Sequence, residues 1–322
     1  MNILFCSAGR RAELMKDFRK SLAPGSRIIA TDMSRYAPAI YFADKFYLVP
    51  SVFDDEYMPT ILDICRKEKI QVVTTLIDPE IEILAKNRTL FDAIGVEVLA
   101  PYAETAELCF DKYKLFLHLK KVGIPTADTY GSYEDARTAI EFGKLCLPVF
   151  VKPRTGSGSV GAHRVNTLET LKEACELDPS LIIQEYMQCE DIDADVYVDT
   201  ITHQPVSIFS KRKIETKIGG ASKTISFKDE KLFEFLRGAL THFKFNGPID
   251  VDLFCKEGQY YLSEINPRFG GAYLHAYGAG IDFVKMIENN ANGLVNDPCF
   301  GNYEDNVVMM MYDSVVIEKI ES

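Results

Sequence analysis

Asp252, Glu264, Asn266 and Arg268 are the residues whose types and spacing point most directly to chemistry. They sit in Ile249-Asp250-Val251-Asp252-Leu253-Phe254 and in Ser263-Glu264-Ile265-Asn266-Pro267-Arg268. Alternate residues of a strand share a face, so Asp250 stands with Asp252, and Glu264 with Asn266. Asp252, Glu264 and Asn266 then offer three hard oxygen ligands, a set that suits Mg²⁺ bridging substrate phosphates. Arg268 lies two residues further on, within reach of a moving phosphoryl group or a developing oxyanion. The alternative is an acidic hairpin in water, but the setting is apolar and Phe269-Gly270-Gly271 follows.

A second group centres on the glycine-rich segment Thr155–Gly161, which holds Gly156, Ser157, Gly158, Ser159 and Gly161. Its GxGxxG spacing alone is weak evidence for a dinucleotide loop, because that loop should open into a helix. Here strand-like Ala162-His163-Arg164-Val165 follows, and no Lys-Ser/Thr pair makes it a Walker loop. The lysine comes first, in Phe150-Val151-Lys152-Pro153. A strand with a lysine, a glycine turn and a second strand make a lid hairpin over phosphates, glycines letting backbone N–H groups approach. An ordinary hairpin with a surface lysine is the alternative. Gln184 or Glu185, with the backbone that follows, can read an adenine edge, and Asp191 can accept ribose hydroxyls. Lys112, at a helix start, is no more than a common surface lysine by itself.

Substrate contacts are expected at the amino-terminal end. Ser7-Ala8-Gly9-Arg10-Arg11 joins a strand end to a helix start, a natural anion site, where Arg10 or Arg11 can hold a carboxylate. Asp78 and Glu80 can bind an amino group, and Asp32 a hydroxyl or amine, with capping and solvation as the alternatives. Lys211-Arg212-Lys213 is a basic cluster in an acidic chain, and Arg212 is expected to face the site. His275 is a candidate for the pocket lining. Together these suggest an amino-acid-like substrate.

The elements that must position these residues follow from periodicity. Strands are expected at Asn2–Cys6, Arg27–Ala30, Phe46–Val49, Val72–Leu76 and Val96–Leu99. Helical spacing covers Arg11–Leu22, Asp55–Lys67 and Ile81–Phe91. This alternation predicts a parallel sheet covered on both faces, with ligands at the carboxyl ends of its strands. After Pro101 come helices at Leu108–Val122, Tyr133–Phe142 and Leu168–Leu177. Strands are expected at Val149–Val151, Ala162–Val165 and Leu181–Gln184, and dominate Asp193–Phe209. A helix at Lys228–Phe243 precedes a hairpin, Ile249–Cys255 and Tyr260–Glu264, turning at Glu257-Gly258. Val307–Tyr312 and Val315–Ile317 read as late strands.

The 322 residues suggest two domains or one large one, and carry a net charge of −11. Such acidity argues against a nucleic-acid surface. No apolar run reaches the roughly 18 residues of a membrane span, so no membrane role is expected. The start, MNILFCSAGRR, reverses the charge order of a signal peptide, and a cytoplasmic protein is expected. Eight scattered cysteines without CxxC read as buried reduced thiols.

In order and spacing, these motifs resemble the ATP-grasp superfamily of carboxylate–amine ligases. The chain looks like the ATP-grasp half of the carbamoyl-phosphate synthase large subunit and short stand-alone relatives such as the ligase of pyrrolysine biosynthesis. The motifs that carry the resemblance are DK (111–112), VKP (151–153), the glycine loop, the turn near 190, DVD (250–252) and EINPR (264–268). They span about 105–290. The resemblance implies an α/β and α+β architecture: a Rossmann-like pre-ATP-grasp domain, 1–104, then an ATP-grasp domain, 105–322, with a lid subdomain at about 124–187. It implies that Lys112 and Lys152 contact ATP phosphates and that the loop with Ser157, Gly158 and Ser159 closes over them. Glu185, Tyr186 and Met187 would hold the adenine, and Asp191 the ribose. Asp252, Glu264 and Asn266 would bind Mg²⁺, with Mn²⁺ as a substitute, and Arg268 and Lys152 would be catalytic.

Two departures stand out. Cys189-Glu190-Asp191 replaces the usual Gly-x-Glu, leaving Glu190 or Asp191 for the ribose, and the shorter Asp252 replaces Glu or Gln. Without a second ATP-grasp half or a glutaminase domain, carbamoyl phosphate synthesis by this chain alone is not expected. The implied activity joins a small-molecule carboxylate, activated as an acyl phosphate, to an amine, releasing ADP and phosphate, in a chain that pairs as a homodimer. A non-catalytic ATP-binding regulatory or scaffold protein is the rival reading. An NAD oxidoreductase is disfavoured, because CSAGRRAEL has one glycine where the fingerprint wants three.

Overall fold

The computed structural model describes residues 1–156, 158, 160–217 and 220–319. Ser157 and Ser159 therefore lie outside the described residues. Strands β1 (Asn2–Cys6), β2 (Arg27–Asp32), β3 (Lys45–Leu48), β4 (Val72–Thr75) and β5 (Glu97–Leu99) form a parallel sheet in the order β3-β2-β1-β4-β5. The apolar run of β1 feeds two cores. Ile3 and Phe5 point to the face covered by the helix Ala12–Ser21, while Leu4 and Cys6 point to that covered by Tyr57–Glu68. Phe18 of the first helix meets Phe5 edge-on at 4.7 Å and Phe269, from the far end of the chain, at 5.5 Å.

A smaller sheet holds β6 (Thr129–Tyr130), β7 (Val149–Pro153), β8 (His163–Val165) and β9 (Leu181–Glu185) in the order β6-β9-β7-β8. Ala136, Ala139 and Leu171, from the helices Tyr133–Glu141 and Leu168–Leu177, close a separate core against it. The third sheet contains β10 (Glu190–Val198), β11 (Pro205–Lys217), β12 (Gly220–Phe227), β13 (Gly247–Lys256), β14 (Gln259–Asn266), β15 (Cys299–Phe300) and β16 (Val308–Met310). Its order is β14-β13-β10-β11-β12-β16, with β15 parallel to β11. Its main core is continuous with the Ile3–Phe5 face of the first sheet.

The predicted 249–264 hairpin is present. Glu257 and Gly258 have φ of 54° and 75°, the paired left-handed backbone that suits the twist of two strands. Three expectations need correction. The predicted helix 108–122 is two helices, Ala103–Phe110 and Lys112–Val122. Asp111 stands between them and accepts from the N–H groups of Tyr113 and Lys114, so a capping side chain breaks an otherwise continuous pattern. The predicted helix 81–91 is Asp78–Lys86 followed by Arg88–Asp92. Val315–Ile317 is not a strand: it is irregular, with Val315 and Ile317 over four-fifths exposed.

Candidate active site

Strand register assembles the site. Asp252 lies opposite Glu264 across β13 and β14, and Asp250 opposite Asn266. On the other side of β13, Asp252 lies opposite Asp193 of β10, and Asp250 opposite Asp195. Asp193 in turn lies opposite Lys211 of β11. Period-two alternation therefore puts a belt of charge on one sheet face.

The belt is cross-linked. Lys213 Nζ donates to Asp252 Oδ1 at 2.5 Å and sits 2.9 Å from Asp191. Lys211, wholly buried, donates to Asp195 and lies 3.1 Å from Asp193. Asn266 reaches both Asp250 and Asp252, at 3.4 and 3.3 Å. Burial opposes the charged form of Lys213, but Asp252 and Asp191 outweigh it and hold its pKa well above the usual lysine value. Burial and its acidic neighbours push Asp250 well up, and Asp195 rises to about 6 for the same reasons despite Lys211.

Two elements bring further cations. Lys112, the first residue of its helix, donates to the carbonyl of Gly156 at 2.5 Å and lies 3.6 Å from Glu264. Arg154 forks onto Asp111 at 2.8 Å, so the root of the glycine loop is pinned to the start of that helix. Lys152 enters from β7 and is nine-tenths buried near Glu264 and Lys112. Burial lowers its pKa, only partly offset by Glu264. Arg268 donates from Nε to Asp78 at 2.7 Å and from a terminal nitrogen at 3.2 Å. Burial works against its charge, but Asp78 and Asp250 raise its pKa overall.

The same open cleft is lined by Glu185, Tyr186 and Met187 from the end of β9, and by Gly158, Asp191 and Lys213. Gln184 spends its amide on Thr129 within the small sheet. Of the two ribose candidates, Asp191 lines this cleft, while exposed Glu190 turns to Arg212 on the opposite face.

Several substrate expectations change. Arg212 does not face the site: alternation turns it outward, where it stacks 3.9 Å above the Phe227 ring, and its neighbours Lys211 and Lys213 point in. Arg10 is exposed at the rim of the cleft, while Arg11 turns inward and donates to the carbonyl of Gly270 at 2.6 Å. Burial lowers the Arg11 pKa to about 10. Asp78 is committed to Arg268 and so is not free for an amino group. Glu80 is buried behind Tyr57 and Thr75. Asp32 accepts from the N–H groups of Gly9 and Ser34, which closes the expected anion site with a carboxylate of the chain itself. His275 is buried between Thr224 and the Val307 carbonyl, and burial takes its pKa to about 4. Cys6, Cys65 and Cys109 are buried, but Cys146 is exposed and the other four are half-buried.

Asp252, Glu264 and Asn266 present three oxygen-bearing groups from neighbouring strands, and the two carboxylates already answer Lys213 and Lys112. That donor set fits Mg²⁺, which takes one or two carboxylates and completes its shell with phosphate and water. The Asn266 amide, drawn with its nitrogen toward the carboxylates, presents oxygen after a half-turn of the same outline. No group of three or more His, Cys, Asp or Glu side chains among the described residues forms a metal cage.

Residues 109–272, half of the chain, match the ATP-grasp domain family. The chain belongs to the ATP-grasp family. Residues 3–99 match the PylC-like N-terminal domain. A carbamoyl phosphate synthase large chain from Thermoanaerobacter is 24% identical over 286 residues, 78% of this chain and 24% of its own length. The chain thus spans about a quarter of that relative. A D-alanine–D-alanine ligase from Clostridium botulinum is 30% identical over 205 residues, 58% of this chain and 68% of its own. Among solved structures, N5-carboxyaminoimidazole synthetase from Staphylococcus aureus superposes with a TM-score of 0.72 at 18% identity, covering 93% of this chain and 78% of that one. An L-amino acid ligase from Bacillus licheniformis gives 0.68 at 17% identity, covering 92% and 77%. This ATP-grasp chain is accordingly an ATP-dependent carbon–nitrogen ligase.

Proposed function

We propose that the chain activates a small-molecule carboxylate as an acyl phosphate with Mg²⁺-ATP, then passes the acyl group to an amine, releasing ADP and phosphate. The observation that carries this reading is the convergence of Lys112, Lys152 and Lys213 on the Asp252–Glu264 pair, beside Arg268. A carboxylate is a poor electrophile, and phosphorylation supplies a leaving group. The three lysines neutralise the polyphosphate as charge moves along it. Asp252, Glu264 and Asn266 would hold the Mg²⁺, which supplies charge neutralisation to the phosphates; Mn²⁺ would serve in its place. Arg268, oriented by Asp78, faces the acyl carbon and stabilises the oxyanion that forms when the amine attacks. Glu185, Tyr186 and the Met187 backbone take the adenine and Asp191 the ribose. An acyl phosphate hydrolyses in water, so the small sheet with Lys152 acts as the cover that keeps water out.

The assembly belongs to the same proposal: a cytoplasmic homodimer with no nucleic-acid partner. No helix of the described residues is long and apolar enough to cross a membrane.

Calorimetry with ADP and a non-hydrolysable ATP analogue, with and without Mg²⁺, tests the reading. Mg²⁺-dependent binding that disappears in Lys152→Ala is expected. Carboxylates are then screened with hydroxylamine, which traps an acyl phosphate as a hydroxamate. AMP and pyrophosphate among the products would refute the acyl-phosphate route.

A further inference from the structure

The two edges of the amino-terminal sheet end differently. At the β5 edge the chain supplies its own partners: the Val98 carbonyl accepts from Arg88 at 3.1 Å and from buried Asn246 at 2.9 Å. At the other edge β3 pairs with β2, and no strand among the described residues takes its outer side. Folded proteins guard such an edge with a central charge, a proline or a bulge. The sequence of β3, Lys45-Phe46-Tyr47-Leu48, has its charge at one end and apolar side chains through the middle. Phe46 and Leu48 share a face and are both exposed. Exposed Met33 follows Asp32, which lies opposite Leu48, and exposed Phe53 follows the strand itself.

Charge is sorted along this edge. Strands β3 and β4 are parallel members of one sheet, so the helix between them, Tyr57–Glu68, runs back against β3. Its carboxyl end therefore sits beside Lys45. Glu68 lies 2.6 Å from Lys45 and 2.9 Å from Arg27, and Lys67 stands 5.4 Å over the Tyr47 ring. Arg66, Lys67 and Lys69 are exposed and enter no ion pair among the described residues, so this end stays cationic after Glu68 is counted. The helix starts at the opposite end of β3, after Asp54, Asp55 and Glu56, which are exposed and likewise in no ion pair among the described residues. Asp63 sits midway and belongs to neither end. Along its length the edge is positive, apolar and negative.

We propose that β3 pairs antiparallel with β3 of a second copy of this chain about a two-fold axis, joining the two amino-terminal sheets into one continuous sheet. The inference rests on the homodimer of the proposed function and names its interface. A two-fold axis sets each end of the edge against the opposite end of its copy. The Lys45 and Lys67 end then meets the acidic 54–56 end of the second copy, and the Phe46 and Leu48 side chains of both copies close the middle. An unrelated strand would take the main-chain hydrogen bonds without answering both charged ends. Matched charge at both ends fixes the antiparallel register and disfavours other partners.

Sedimentation equilibrium of the full chain over a concentration series gives the dimer Kd. Arg66→Glu combined with Lys67→Glu should weaken the dimer at least tenfold, and Asp55→Lys combined with Glu56→Lys should do the same. The chain carrying all four substitutions has its charges exchanged end for end, and its Kd should return to within about threefold of wild type. Phe46→Lys, a charge at the centre of the edge, should also weaken the dimer at least tenfold. Unchanged calorimetric binding of the ATP analogue with Mg²⁺ shows that each variant is folded. Should Phe46→Lys fail to fold, the exposed charge reversals decide. A dimer Kd that neither reversed pair moves overturns the inference, as does a four-substitution chain as weak as the pairs; in both cases the homodimer stands on another face. Wild type that stays monomeric at every concentration removes the homodimer itself, and this inference with it.

Discussion

Lys211 has no exposed surface, yet it keeps its charge because Asp193 and Asp195 flank it. Lys211→Met removes the cation and leaves two buried carboxylates facing each other. Breaking a buried pair this way costs about 3–5 kcal/mol, so the urea midpoint should fall sharply. Arg268→Lys keeps the charge but loses the fork on Asp78. It should lower kcat on the order of 10²-fold, the scale of one lost oxyanion donor, and leave nucleotide affinity nearly unchanged in calorimetry. Glu80 tests pH linkage. It is buried with Tyr57 and Thr75, and burial raises its pKa. A carboxyl whose pKa is higher folded than unfolded contributes stability that is full below the ordinary carboxylate pKa and lost as pH rises toward the folded value. Urea midpoints of Glu80→Gln and wild type should therefore coincide most closely at low pH and diverge, in favour of the variant, as pH rises.

Elements show which features were readable from sequence. The 249–264 hairpin was, because alternation and the Glu257-Gly258 turn are local signals. So were the parallel strands and their covering helices. The belt on β10 and β11 was not read, although Asp191, Asp193 and Asp195 repeat with period two. What makes them a site is who lies opposite, and register between strands is set by turns and bulges far from the residues themselves. Arg212 shows the same limit: its central place in a basic run suggested the site, while a one-residue offset turned it outward. Asp111 shows another, since a capping side chain ended a helix that hydrophobic spacing carried straight through. Asp111→Ala should cost about 1 kcal/mol for the cap. It also frees Arg154 from its anchor, so the affinity for the ATP analogue should fall with it, as calorimetry would record.

At the scale of the molecule, the amino-terminal and large sheets share one core and the small sheet keeps its own. Phe5, Phe18 and Phe269 pack in a row that runs from the amino-terminal sheet into the large sheet. The small sheet closes on Ala136, Ala139 and Leu171 without that core. Hydrogen exchange should therefore find the β7 amides opening at lower free energy than those of β1, and nucleotide should protect β7 most. The Arg268–Asp78 fork links residues 190 positions apart. The amino-terminal sheet is therefore not an interchangeable module. A transplant that brings a foreign first domain without a carboxylate at the position of Asp78 would deliver an intact nucleotide pocket whose arginine has lost its aim.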